Sequence, residues 1–464
     1  MQRNQRVSAV HVGLDIGTTH ITMVVIDLSR ERKIRHYARS NPRVDTGETY
    51  TYAQDPVQIE MIIRSLLALV DEPIGSICLT GQVHGILYYD AQGMAVSPLY
   101  TWLDRSALVS IDGMTSQQRM EQETGIHLPS GYGLLTHFAH RRLGKVPSHA
   151  VGFCGILEFI TGKLVGTRSR HSDASCLASY GAFDPVSLSF DPGVLRTVLD
   201  SSMLPFLEPC TPLTLVGETP DGIPVAHAVG DNQAGFFGMV PDWECSAMVS
   251  IGTSGQVSVF STDTACPDQM ELRPFFGAGY LHVGATLTAG KTYEVIQRFF
   301  ASILASAGVS VDNERIFAMM KSVAASDDGD EPLFLDPRFN GARHDPSVRG
   351  SLTHITLDNL TPGNLVRAAI QGIVEELYTF KEHAPEVFRP VNHIVATGAA
   401  VRKNHLFSQE LERQFGIPLV VADIDDGAGV GAALIGAVSA GALSIDAARL
   451  WVKENLDMTM EETE

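Results

Sequence analysis

The chain has 464 residues, of which 44% are hydrophobic and 42 are glycine, and its formal net charge is −19. That length exceeds what a single core supports and predicts two α/β domains, while the acidic balance argues against a surface for nucleic acid or an anionic membrane. Six cysteines without a CxxC pair argue against a zinc site or a disulfide framework; with the lack of a signal peptide, they predict a cytoplasmic protein.

The first element, residues 10–27 (VHVGLDIGTTHITMVVID), reads as two apolar strands joined at Gly17, Thr18 and Thr19. Glycine permits the tight turn, and consecutive backbone N–H groups with two hydroxyls suit a phosphate. Asp15, just before the turn, is placed to hold a hydrated Mg²⁺ against such phosphates. There is no GxxxxGK[ST] and no helix follows, so this is not a P-loop; an ordinary hairpin is the competing reading. Asp55 and Pro56 then open an amphipathic helix with Ile59, Ile62, Ile63, Leu66 and Leu67 at helical spacing.

The strand IGSICLTG leads into Gln82, Val83, His84 and Gly85. Gln82 and His84 point to one side of an extended segment between glycines, where a ligand can approach. In SPLYTWLDRSAL, Trp102, Asp104 and Arg105 combine an aromatic wall with an acceptor and a cation, the equipment for gripping a polyol; a surface Asp–Arg pair is the alternative. Residues 125–147 and 153–185 read mainly as scaffold, with an Asp/Ser-rich turn at 171–175 that comes near the ligand. An apolar strand ends at Gly230, and Asp231 follows at the N-cap of a small-residue helix, 232–239. A carboxylate there suits a general base, and the helix start favours its ionised form; a plain cap is the alternative.

The second half opens with SAMVSIGTSGQVSVF, in which Ile251, Gly252, Thr253 and Ser254 repeat Ile16 to Thr19 between strand-like runs. Gly290 marks a bend before another amphipathic helix, residues 327–332 form a polar surface loop, and Thr361-Pro362 caps a long helix with a core stripe of Leu365, Ala369, Ile373, Leu377 and Phe380. The strand HIVATG ends at Gly398 and Ala399, where a turn poor in side chains lets an adenine lie on backbone, and Asn404 begins the next helix. Residues 427–443, rich in Gly and Ala, are too short to span a bilayer and predict a buried helix packed closely on a neighbour.

DIGTT and IGTSG together resemble the two phosphate motifs of the actin-like ATPase superfamily, and TGQVHG followed by YTWLDR resembles the sugar-binding signature of the FGGY carbohydrate kinases. The resemblance runs from about Val10 to about Ala440. It implies an α/β fold of two actin-like (ribonuclease H-like) ATPase domains with a nucleotide and sugar cleft between them: a sugar-binding N-terminal domain, 1–240, and a nucleotide-binding C-terminal domain, 241–464. It implies ATP and Mg²⁺ as cofactors, with Asp15 as the metal residue. Gly17, Thr18, Thr19, Gly252, Thr253, Ser254, Gly290, Gly398, Ala399 and Asn404 are the implied nucleotide residues. Gln82, His84, Trp102 and Asp104 would bind the sugar, and Asp231 would be both sugar-binding and catalytic.

The implied reaction is ATP-dependent phosphorylation of a primary hydroxyl of a ketose. Within the family, TGQVHG, YTWLDR, GYG, SDASCLASYG and the compact length are most similar to members acting on sedoheptulose. Leu103 to Ser106 departs from the Gln-Asp-Gly-Arg pattern, which keeps xylulose, ribulose and glycerol open as substrates. Ala342 replaces the Glu of the family's GERxP loop, here Gly341 to Arg343 followed by Val348 to Gly350. Two other classes share the hairpins: a nucleotide-driven switch of the actin or Hsp70 kind, which has no sugar segments, and a sugar-sensing regulator, which needs a DNA-binding helix-turn-helix before the first strand. A homodimer is one assembly that such kinases adopt.

Overall fold

A computed structural model describes residues 9–28, 34–199, 206–326, 332–342, 345, 347–424 and 426–455, so most of the expected 327–332 loop, and Arg343, lie outside the described residues. The chain divides into two compact units. One comprises Met1–Pro241, Arg273–Gly279 and Asp426–Asn455; the other is formed mainly by Asp242–Leu272 and Tyr280–Asp425.

The first unit is built on six strands: β1 (Val10–Ile16), β2 (His20–Asp27), β3 (Ile34–Ser40), β4 (Ile74–Gly81), β5 (Leu215–Glu218) and β6 (Pro224–Ala226). Their order across the sheet is β5-β6-β4-β1-β2-β3. β1 runs antiparallel to β2 and parallel to β4. Its position follows from its composition, because VHVGLDI is apolar on both faces and such a strand is stable only when both faces are covered. On one face lies the helix Pro56–Leu67. Asp55 caps it by accepting from the N–H groups of Val57 and Gln58, and it buries Ile59, Ile63 and Leu66, each worth about 1.5–3 kcal/mol.

The helix Gly427–Ser439 lies against β1 and β4 and against the helix Asp231–Met239. Glycine sets these distances. A Cβ on Gly13 would collide with the carbonyl of Gly429, and one on Gly431 with the carbonyl of Ala234. The Gly/Ala run is therefore a packing surface for the first sheet, reached by the chain after it has built most of the second unit.

Five of the six strands of the other sheet are β7 (Ser246–Ile251), β8 (Gly255–Ser261), β9 (Gly279–Ala285), β10 (His393–Thr397) and β11 (Leu419–Val421), which neighbour one another in the order β9-β8-β7-β10-β11; the sixth, Glu271–Phe275, lies outside β9. β7 pairs antiparallel with β8 and parallel with β10, as β1 does with β2 and β4. The helix Pro362–His383, capped by Thr361, buries Ala369, Ile373, Leu377 and Phe380 as expected. Its N-terminal contact is made by Val366 rather than Leu365, which is only half-buried, because the buried stripe also takes in Ile370 and Val374. Among the described residues no helix is long and apolar enough to cross a membrane.

Candidate functional site

The first turn is fixed by side-chain amides. The Gly17 carbonyl accepts from Asn41 Nδ2 at 2.8 Å and the Thr18 carbonyl from Gln54 Nε2 at 2.7 Å. In a trans peptide the next N–H points opposite to the carbonyl, so the amides of Thr18 and Thr19 face away from Asn41 and Gln54. Two consecutive N–H groups turned the same way make a cradle for an anion. The Thr18 hydroxyl accepts from Trp102 Nε1 at 3.0 Å and makes a longer, 3.5 Å contact with Gln82 Oε1.

Three carboxylates gather beside this turn within the first unit. Burial is the main cause that pushes the Asp15 pKa well up, and the negative charges of Asp426 and Asp231 add to it. Asp426 precedes the helix Gly427–Ser439 and caps it: its Oδ1 accepts from the Gly429 N–H at 2.8 Å, and its Oδ2 accepts from the Thr22 hydroxyl and stands 3.7 Å from His36 Nε2. Asp231 is the first residue of its own helix, and Gly230 takes the cap position expected for it. Its Oδ1 accepts from the Asn232 N–H at 2.7 Å. Asp231 keeps an exposed face, while the protein packed around it pushes its pKa up and the charge of Arg273 opposes that shift.

The turn at 171–175 braces the start of this helix. Asp173 accepts from the backbone and hydroxyl of Ser175, and Ser175 Oγ in turn accepts the Gly230 N–H at 3.0 Å. The segment therefore holds the residue before Asp231, a scaffold role.

Of the sugar-binding candidates, Gln82 is buried and donates through Nε2 to Gln54 Oε1 at 2.7 Å. His84 has a φ of +74°, a conformation that costs a non-glycine residue energy and concentrates at functional sites. Its Nδ1 lies 2.8 Å from the Ser179 carbonyl, which can only accept, so in the neutral ring the proton sits on Nδ1 and Nε2 is an acceptor. The ring packs on Tyr132 with centroids 4.3 Å apart. Trp102 is 41% exposed, with its N–H tied to the turn as above. Asp104 is 1% exposed, and its Oδ1 accepts from the N–H and hydroxyl of Ser106. Its Oδ2 is a buried acceptor with no hydrogen bond, and burial pushes its pKa up.

In the second unit the turn Gly252–Ser254 is held by backbone. The Gly252 carbonyl accepts from the N–H of Gly290 at 2.9 Å, and the Thr253 carbonyl from those of Ala289 and Lys291. By the same peptide geometry, the amides of Thr253 and Ser254 face away from this helix start. Gly290 is required for the approach, because a Cβ there would collide with the Gly252 carbonyl. Gly398, at φ +97°, ends β10 where a Cβ would come within 2.5 Å of the Ile251 carbonyl oxygen, and Gly81, at φ +140°, stands in the same relation to Ile16. Ala399 opens the short helix Ala399–Lys403. Asn404 caps the helix His405–Phe415 through Leu406 N–H and donates to the Tyr293 hydroxyl at 3.2 Å, so its side chain fixes this segment from below.

Sequence reasoning missed Asp426, Arg273, Asn41 and Gln54. Asp426 carries a local signal, as an acidic residue before a Gly/Ala helix; Arg273, Asn41 and Gln54 carry none.

The model of the N-terminal domain of the FGGY family of carbohydrate kinases matches residues 10–238, and that of the C-terminal domain matches residues 247–440. A sedoheptulokinase of Mus musculus is 26% identical over 477 residues, covering 92% of this chain and 97% of that protein. A xylulose kinase of Staphylococcus xylosus is 24% identical, covering 92% and 90%. Among solved structures, the xylulose kinase from Rhodospirillum rubrum superposes with a TM-score of 0.80 at 19% identity, covering 95% of this chain and 92% of that one.

Proposed function

The chain belongs to the FGGY family of carbohydrate kinases, and from that premise we propose that it transfers the terminal phosphoryl group of ATP to a primary hydroxyl of a ketose, with sedoheptulose as the first candidate. One observation carries the reading: an amide turn is hydrogen-bonded to Gln82 and Trp102, and a cluster of carboxylates stands beside that turn, all within the first unit. The mouse and human sedoheptulokinases support the choice of sugar, and the similarity to xylulose kinases makes xylulose the alternative.

In this reading Asp231 accepts the proton of the attacking hydroxyl, within hydrogen-bond reach of which its exposed face must lie. Its place on the first turn of a helix and the charge of Arg273 favour its ionised form and oppose the upward push of burial. Gln82, His84 Nε2 and the Trp102 face orient the sugar so that the terminal oxygen is in line with the phosphoryl group. The amides of Thr18 and Thr19 and the Thr19 hydroxyl meet the charge on that group, while Thr253, Ser254, Gly398 and Ala399 receive the nucleotide, the division expected for 1–240 and 241–464.

A divalent cation fits the carboxylates of the first unit. Asp15 sits half-buried beside two like charges, a repulsion that a cation relieves, and Mg²⁺ takes one or two carboxylates with phosphate and water as its remaining ligands. Asp15 and Asp426 would hold it, and it would supply charge neutralisation at the phosphates. The six cysteines are unbridged, which supports a cytoplasmic enzyme.

The testing experiment is ADP release with Mg-ATP and sedoheptulose, D-xylulose, D-ribulose, L-ribulose, glycerol or no sugar. Stimulation by sedoheptulose above all others is expected. A different best sugar moves the specificity, and release that is equal with and without every sugar overturns the kinase reading for these substrates.

A further inference from the structure

Gln54 is fully buried, and it has no part in the sugar-binding or phosphate-binding sets. It occupies the middle of a closed hydrogen-bond ring. Its Nε2 donates to the Thr18 carbonyl at 2.7 Å and to the Asn41 carbonyl at 3.2 Å, and its Oε1 accepts from Gln82 Nε2 at 2.7 Å. Gln82 Oε1 faces the Thr18 hydroxyl at 3.5 Å, and Trp102 Nε1 donates to that same hydroxyl. Every donor meets an acceptor around the ring, so the orientation of each amide is set by its neighbours and none can flip alone.

Two consequences follow from this connectivity. The peptide that carries the Thr19 amide is fixed through the Thr18 carbonyl by Gln54, which also holds Gln82, while the Thr18 hydroxyl holds Trp102. A ligand that engages Gln82 is thus two hydrogen bonds, through Gln54, from the turn whose amides face the anion, and one that engages the Trp102 face is a single hydrogen bond from it. The wholly buried position of Gln54 keeps water from substituting for it, since a buried amide has no solvent partner to exchange with.

We propose that Gln54 is a positioning residue through which the ketose-facing Gln82 and the phosphate-facing turn Gly17–Thr19, to which Trp102 is tied directly, share one geometry, so that binding the sugar tightens binding of the nucleotide. The inference rests on the kinase reading and adds to it a coupling residue that touches neither substrate.

The test compares the Kd of a non-hydrolysable ATP analogue, measured calorimetrically, with and without saturating ketose. In the wild-type enzyme the sugar is expected to tighten the analogue about fivefold or more, the lower range of site-to-site coupling. Gln54→Met, which keeps the length and removes the amide, is expected to bring that factor, the ratio of the Kd values without and with ketose, below about twofold. A purely structural residue would lower the amount of folded enzyme and leave the factor unchanged. Should Gln54→Met fail to fold, Gln54→Asn, which keeps the amide but shortens its reach to Thr18 and Gln82, is expected to weaken the factor at saturating sugar. Full coupling in the folded variant, or no coupling in the wild type, overturns the inference and leaves the kinase reading standing if ketose still drives ADP release. Loss of ketose-driven ADP release in the wild type would instead overturn both.

Discussion

The two glycine turns carry nearly the same residues, Gly17-Thr18-Thr19 and Gly252-Thr253-Ser254, at the same point in the same strand arrangement, yet their carbonyls are held by different donors. The first is held by the side chains of Asn41 and Gln54, the second by the backbone N–H groups of Ala289 to Lys291. Their surroundings differ as well. Asp15 stands before the first turn, and Ser250 occupies that position before the second. A short motif thus sets the shape of the turn, while distant residues decide what it is coupled to. Side-chain donors connect the first turn to a polar site, and helix backbone makes the second a rigid platform.

The largest expected effect sharpens the contrast between acid-bearing and acid-free turns. On the proposed reading, Asp231→Ala lowers kcat by about 10³-fold, the scale of lost general-base catalysis, while the Kd for ADP by calorimetry stays within about twofold because no nucleotide group is removed. Near-wild-type turnover would take Asp231 out of its role.

Gly290→Ala attacks the second turn alone. The added methyl meets the Gly252 carbonyl, and relief requires the helix start to back away from the turn. An overpacking strain of about 1–3 kcal/mol, about 5- to 150-fold in binding, is expected to appear in KM for ATP with KM for the sugar unchanged. Equal losses for both substrates would show that the second turn is not a separate platform.

A smaller and more discriminating pair is Thr18→Val against Thr253→Val. Each removes one hydroxyl, at a cost of about 1 kcal/mol or roughly fivefold. Thr18→Val also frees Trp102 Nε1 and the Gln82 contact, so KM should rise for sugar and ATP together. Thr253→Val should raise KM for ATP only.

The sequence displays the parts of this comparison that are local. Glycine between two apolar strands exposes both turns, and Asp55 and Thr361 announce their helices because caps act within three residues. Asp231 is one residue from its expected cap position, since Gly230 serves there and an acidic first-turn residue gives the same sequence pattern. What stays hidden is long-range. Asp426 meets the environment of Asp15 only because the Gly427–Ser439 helix returns to the first sheet, and nothing in the Gly/Ala run states which neighbour it will press against. Gln54 and Asn41 sit in a segment without periodicity, and their partners are carbonyls, which every residue has.

The smallest expected effect tests whether the second platform is electrostatically independent of the first. Glu376 lies on the helix Pro362–His383, next to Leu377, whose side chain packs beneath Gly255 at the end of the second turn. Burial pushes the Glu376 carboxyl up to about 7, with Arg338 opposing and Asp336 adding, and its Oε2 has no hydrogen bond. A folded pKa above the ordinary 4.5 means that the protonated group favours folding: the contribution is fully present below pH 4.5 and is lost as pH rises through about 7. Glu376→Gln is neutral throughout, so its stability advantage over the wild type should grow across that window. By pH 8 it should reach on the order of 1–2 kcal/mol, less than the full pKa difference because the side chain is only partly buried. Denaturant unfolding at pH 4.5 and pH 8, followed together with ADP affinity, reads this out. If the advantage is confined to the transition that also abolishes nucleotide binding, the second unit carries its own titrating support; an equal gain at both pH values would mean that Glu376 is ionised in the folded protein and that the helix beneath the second turn tolerates its charge.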